Sequence, residues 1–128
     1  ETVEVPGALE VPTAIGIAER LSNFDGYVAL GCVIRGETTH YETVCNDSSR
    51  GITLLGLQGL CIGNGILTVE NMAQAQARAE VAGQNKGGGA AAVLKVTVCG
   101  KSRFSSSGAL ISGDMTIVRP SPTKPGSW

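Results

Sequence analysis

Apolar residues along this chain fall into alternating short continuous runs and longer helical repeats. Thr2 to Val5 is β-prone and is stopped by Pro6-Gly7, after which Leu9, Ala14, Ile15, Ala18 and Leu21 recur at the spacing of one helix face. Asp25-Gly26 then turns into the unbroken apolar run Tyr27 to Ile34. A run of strand length without polar alternation predicts burial on both faces, as in a parallel sheet. Thr38 or Thr39 is placed to cap a helix through Tyr41, Val44 and Cys45 toward Leu55. Leu60 to Val69 reads as the next buried strand, and Asn71 caps an Ala- and Gln-rich helix from Met72 to Val81. A glycine-rich loop over 83–89 follows, and Ala90 opens a short helical stretch. Strand and helix alternate three times, which predicts an α/β layered fold with right-handed crossovers and a parallel sheet.

Ligands of such sheets bind beyond the carboxyl ends of the strands. Three segments occupy those ends: Pro6 to Glu10, Arg35 to His40, and Thr68 to Asn71. The segment Arg35-Gly-Glu-Thr-Thr-His40 joins a buried strand to a helix start, where backbone N–H groups and the helix dipole favour an anion of phosphate size. A purely structural glycine turn accounts for the same spacing equally well. His40 is the single histidine, the side-chain type that ordinarily titrates nearest neutrality and so suits proton transfer, although a helix-face histidine with no chemical role is the commoner case. Arg78 is either a phosphate ligand or a solvated helix arginine, and Lys86 either a ligand contact or an exposed loop lysine. Glu10 is placed to accept hydroxyl hydrogen bonds or to complement a helix start.

Composition narrows the choices. In 128 residues, 10 Lys plus Arg against 11 Asp plus Glu give a net charge of -1, without the basic excess of a duplex-binding domain, so nucleic acid is not an expected partner. No apolar run approaches the length of a membrane span, and no membrane partner is expected. Cysteines 32, 45, 61 and 99 match neither a zinc knuckle nor a secreted disulfide framework; they read as small buried hydrophobes in a reducing, cytoplasmic setting, and no metal site is expected. The loop Gly87-Gly-Gly89 fits neither a P-loop nor a dinucleotide fingerprint.

Four motifs change the picture when taken together. Val5-Pro-Gly-Ala-Leu-Glu-Val-Pro12, Ala29 through Glu42 (Ala-Leu-Gly-Cys-Val-Ile-Arg-Gly-Glu-Thr-Thr-His-Tyr-Glu), Ile62 through Asn71 (Ile-Gly-Asn-Gly-Ile-Leu-Thr-Val-Glu-Asn) and Asn85-Lys-Gly-Gly88 occur in the order and spacing of the lumazine synthases, and residues 1 to about 94 closely resemble that family. The resemblance implies a three-layer α-β-α sandwich with a parallel sheet, of flavodoxin-like architecture. It implies condensation of 5-amino-6-(D-ribitylamino)uracil with 3,4-dihydroxy-2-butanone 4-phosphate in riboflavin biosynthesis, with no cofactor. By similarity, Gly36, Glu37, Thr38 and Arg78 bind phosphate and His40 moves protons. Ala8, Leu9, Glu10, Val33, Ile34, Asn64 and Lys86 contact substrate. Arg78, Asn64 and Lys86 come from a neighbouring subunit of a homo-oligomer, a pentamer or a multiple of one, with riboflavin synthase as a further partner.

The resemblance also implies what departs from the pattern. The family's first strand, first helix and much of its second strand precede the position of Glu1, and loss of a central strand would leave two neighbours with unpaired edges. Residues 1–94 carry 5 basic and 10 acidic side chains, whereas 95–128 carry 5 and 1, together with seven serines and three of the five prolines. This break divides the chain into a synthase core, 1–94, and a divergent tail, 95–128, where Val96 to Cys99 is β-prone. A shifted reading frame is the preferred explanation of the tail. A genuine divergent tail is one alternative; a permuted chain, with 94–104 as first strand, 105–113 as helix and 115–118 as second strand, is another. A silent assembly subunit of the same family is the alternative function, and a flavodoxin-like binding domain fits the loops less well.

Overall fold

The structure is a computed structural model that describes residues 1–103 and 115–120. Strands β1 (Thr2–Val5), β2 (Gly26–Ile34), β3 (Ile62–Val69) and β4 (Met115–Pro120) form one sheet in the order β1-β4-β2-β3, parallel at every pairing. Helices α1 (Val11–Leu21), α2 (His40–Leu57), α3 (Met72–Ala79) and α4 (Lys86–Arg103) connect and cover it, and a single 3-10 turn, Ala8–Glu10, leads into α1.

The pleat sorts the core into two layers. Tyr27 and Ala29 of β2 bury with Val11, Ile15 and Ile52 under α1 and α2, whereas Val28 and the half-buried Leu30 pack with Ala90 and Leu94 of α4. Alternate residues of one strand thus face opposite helical layers, which makes the fold the three-layer α-β-α sandwich. Val11, Ile15 and Tyr27 are each at most 1% exposed, and burying a side chain of this size contributes about 1.5–3 kcal/mol.

Close approach of α4 depends on β3. A Cβ built on Gly63 would lie 2.0 Å from the Ala90 carbonyl oxygen, and one on Gly65 would lie 3.2 Å from the Ala90 Cβ. Only glycine at 63 lets this helix lie so near the strand.

Two expectations are corrected. The β-prone stretch Val96 to Cys99 is helical, because α4 starts earlier than Ala90, at Lys86, and continues to Arg103. Once Ala90 and Leu94 are docked on the sheet, propagation adds one bond per residue, and Thr97 satisfies its hydroxyl within the helix by donating to the Val93 and Leu94 carbonyls at 3.2 and 2.9 Å. The second correction concerns the expected open edges of β1 and β2. Met115–Pro120 lies between them, pairing Thr2–Val5 with Ile117–Pro120 and Gly26–Ala29 with Met115–Val118. In the permuted arrangement 94–104 is a strand, whereas residues up to 103 are helical here; Phe104 and the helix expected over 105–113 lie outside the described residues. No helix among the described residues is long and apolar enough to cross a membrane.

Candidate active site

A parallel sheet puts the carboxyl ends of all its strands on one side of the molecule, and the loops after β1, β2 and β3 emerge there. After β1, Gly7 is extended and its carbonyl accepts from the Glu10 N–H at 3.2 Å, so Ala8, Leu9 and Glu10 form a tight turn with Ala8 fully buried. After β2, residues 35–39 pass into α2. Thr39 takes the cap position without a side-chain bond, and it is the Thr38 hydroxyl that accepts from the His40 N–H, at 3.3 Å. Gly36 through His40 are exposed, and nothing would meet a Cβ at Gly36 within 4 Å. The first turn of α2 therefore presents its backbone donors to solvent beside a loop with room for an anion.

These two loops share cavities. Pro6 to Glu10 line one of about 180 Å³ together with His40 and Val44. Val33, Ile34, Gly36, Thr38, His40 and Tyr41 line an adjoining one of about 50 Å³ with the same Val44. Buried contact among Ala8, Val33 and Val44 fixes the floor between them. Ala8, Leu9, Glu10, Val33, Ile34, Gly36, Thr38 and His40, singled out from sequence, are thus brought together; Glu37 lies in the same loop, exposed.

Asn64, Arg78 and Lys86 are brought together elsewhere. They line a separate cavity of about 420 Å³ with Thr68, Gly89, Ala90 and Val93, and it shares no residue with the other two. Lys86 is the first residue of α4, set there by Asn85. The Asn85 backbone is in the left-handed region (φ 46), its side-chain oxygen accepts from the Gly88 N–H at 3.2 Å, and a Cβ on Gly88 would lie 2.4 Å from Asn85. Arg78 lies in the last turn of α3, which Asn71 caps by accepting from the Gln74 N–H at 2.9 Å, while the Gln74 amide oxygen accepts from the Glu70 N–H at 2.9 Å.

Charge around the β2–α2 loop is organised by Arg35, which sequence reasoning placed in the motif without a role. Its guanidinium pairs with Glu42 and with Glu70, the latter at 2.7 Å, and lies 4.3 Å from the centroid of the Tyr41 ring. The bonds to Glu42 and then Glu70 hold Arg35 protonated more firmly than usual, and Arg35, followed by a backbone donor, holds the Glu42 carboxyl below the ordinary carboxylate range. Among the described residues no three His, Cys, Asp or Glu side chains converge as metal ligands do, and Cys32, Cys45 and Cys61 are free thiols.

The fold and loops define an α/β domain with exposed backbone donors at a helix start and a second, basic cavity apart from it. Comparison with known proteins then gives the family. Residues 1–99 match the family model of 6,7-dimethyl-8-ribityllumazine synthase. The chain is 62% identical over 111 residues to the 6,7-dimethyl-8-ribityllumazine synthase of Jannaschia sp. (strain CCS1), covering 86% of this chain and 62% of that protein. It is 59% identical over 104 residues to the protein of the same name from Sphingopyxis alaskensis, covering 81% of this chain and 74% of the relative. For the Novosphingobium aromaticivorans protein of that name, identity is 51% over 105 residues, 82% of this chain and 76% of the relative. The chain belongs to the 6,7-dimethyl-8-ribityllumazine synthase family, and it spans between about three fifths and three quarters of the length of these relatives.

Proposed function

We propose that this chain is a lumazine synthase subunit whose active sites are each completed by two neighbouring copies. The observation that carries this reading is the division of the candidate residues into two cavities with no residue in common: the loops with His40 in one place, Asn64, Arg78 and Lys86 in another. Two half-sites that do not meet within a chain can meet across an interface, and Ile17, Leu21, Leu54, Leu57, Val81 and Val93, each more than half exposed, supply apolar surface for one.

In this reading, 5-amino-6-(D-ribitylamino)uracil lies against Ala8 to Glu10, with Glu10 accepting from ribityl hydroxyls. Val33 and Ile34 bound the heterocycle, and Asn64 of the neighbouring copy meets its far side. The phosphate of 3,4-dihydroxy-2-butanone 4-phosphate sits at the start of α2 on the N–H groups of Gly36, Glu37 and Thr38, and Arg78 of the neighbouring copy closes on it as a fork. His40 stands between the two, where it moves protons as the amine adds to the ketone and as phosphate leaves. Lys86 approaches a carbonyl of the pyrimidine. Ring closure then gives 6,7-dimethyl-8-ribityllumazine, phosphate and water. Most of the acceleration comes from holding two reactants in attack geometry, so neither a metal nor a redox cofactor is required. Residues 1–94 hold every one of these groups and form the synthase core, and 95–128, divergent in sequence, adds the end of α4 and the strand β4 to the same sheet. The subunits act in the cytoplasm as pentamers or multiples of pentamers, and riboflavin synthase, as the consumer of the product, is the expected partner.

Mixing the two substrates with the purified chain and following product fluorescence tests the activity, and the mass of the active species in solution tests the shared site. Turnover by an oligomer is expected; turnover by a monomer overturns the division of the site between copies.

A further inference from the structure

Arg35 stands immediately before the anion cradle, yet its guanidinium is spent on other groups. Nε donates to Glu70 Oε2 at 2.7 Å, Nη1 donates to Glu42 Oε1, and the plane lies over Tyr41. Its backbone N–H donates to the Val69 carbonyl at 2.9 Å. One residue thus ties the end of β2 to the end of β3 and to the first turn of α2.

Stability is not the reason for such an arrangement. The three side chains are 41%, 47% and 55% exposed, and ion pairs as open to water as these stabilise a fold only weakly. Charge placement is a better reason. A carboxylate in the first turn of a helix is attracted by the same dipole and backbone donors that would hold an anionic ligand, so an unpaired Glu42 competes with phosphate for the start of α2. Glu70 adds a second negative charge on the neighbouring strand end, and its backbone leads into the α3 cap, where the Gln74 carbonyl in turn accepts from Arg78 Nη1 at 3.4 Å. Arg35 occupies both carboxylates at once, and the Tyr41 stack keeps its fork in plane.

We infer that Arg35 is a positioning residue for phosphate: it does not touch the ligand, but draws Glu42 and Glu70 away from the cradle formed by Gly36 to His40. This rests on the phosphate assignment proposed above.

The test uses the full chain, Arg35→Gln, Arg35→Lys, and the triple variant Arg35→Gln, Glu42→Gln, Glu70→Gln. It reads steady-state kinetics with each substrate varied in turn, and separately the binding of inorganic phosphate without either substrate. Arg35→Gln is expected to raise KM for the phosphorylated substrate about tenfold and to weaken inorganic phosphate about as much, with kcat and KM for the pyrimidine within about twofold. The triple variant, free of uncompensated carboxylates, recovers most of the phosphate affinity, and Arg35→Lys, which keeps the charge but not the fork, falls between. Unchanged phosphate affinity in Arg35→Gln overturns the inference. So does a lowered kcat with unchanged KM, and so does a triple variant as weak as the single one. Should Arg35→Gln fail to fold, wild-type phosphate affinity in Arg35→Lys, or no phosphate binding in the triple variant, overturns it. A wild-type chain without turnover whose phosphate binding still depends on Arg35 would refute the proposed synthase function and leave this role standing.

Discussion

The two cavities that hold the candidate residues are built by different means. The His40 cavity is built from two strand-end loops, a tight turn after β1 and the loop into α2, floored by buried contact among Ala8, Val33 and Val44. The Arg78 and Lys86 cavity lies between residues 64–68 of β3, Arg78 of α3 and one face of α4, and its shape depends on how closely α4 lies on β3. Loops at strand ends are placed by the sheet itself, whereas long cations on helices are only as well placed as the helices. The second cavity should therefore be the more easily destroyed from a distance.

Gly63→Ala is the harshest way to break that contrast. Its Cβ would lie 2.0 Å from a backbone oxygen of α4, which cannot move aside as a side-chain tip could, so the cost is expected at about 3 kcal/mol or more. Denaturant unfolding checks it, and folded Gly63→Ala protein should lose Arg78-dependent phosphate binding before it loses binding at the turn after β1. Arg78→Ala leaves the fold alone and removes the fork, with an expected loss of about a hundredfold in kcat/KM for the phosphorylated substrate. His40→Ala should cost less, about tenfold in kcat, because positioning carries most of the rate. An Arg78→Ala enzyme as active as wild type would remove the second cavity from the account.

Away from both cavities, the Tyr27 hydroxyl donates to Glu19 Oε2 at 2.7 Å in the core under α1, and burial, then the Glu19 bond, pushes its pKa well above the ordinary tyrosine value of 10.0. Neutral Tyr27 is thus favoured in the folded chain. Its contribution is fully present below pH 10.0, the unfolded value, and is lost as pH rises above it. Tyr27→Phe is expected to cost about 1 kcal/mol at neutral pH and to flatten the alkaline loss of stability, with both half-sites and their phosphate binding untouched.

The same contrast explains what could be read from the sequence. Every group of the first cavity lies in one of two short stretches between a strand run and a helix, so the loops at Pro6–Glu10 and Arg35–His40 followed from hydrophobic pattern and turn chemistry. Asn64, Arg78 and Lys86 are scattered over 23 residues of strand and helix, and no spacing rule brings them together; Arg78 and Lys86 were open candidates on their own, and only family resemblance joined them with Asn64. The long α4 was hidden because Gly87 to Gly89 and Val96 to Cys99 are both poor helix, and docking of Ala90 and Leu94 on the sheet outweighs local propensity. The place of Met115–Pro120 between β1 and β2 was hidden for a related reason: a parallel partner is chosen by the sheet's vacancy and not by any neighbour in sequence. Arg35 was legible as a residue but not as a role, since Glu70 is 35 positions away.

Complementation between variants tests directly whether the two cavities combine between copies. His40→Ala and Arg78→Ala proteins, expected to keep about a tenth of kcat and about a hundredth of kcat/KM respectively, can be unfolded together, refolded as mixed oligomers and assayed for lumazine formation. If each site takes His40 from one copy and Arg78 from the next, about a quarter of the sites in an equal mixture are intact, and activity should return to about that fraction of wild type. Activity no higher than the mean of the two separate variants, in oligomers shown to be mixed, would place both residues in one chain's site and contradict the account.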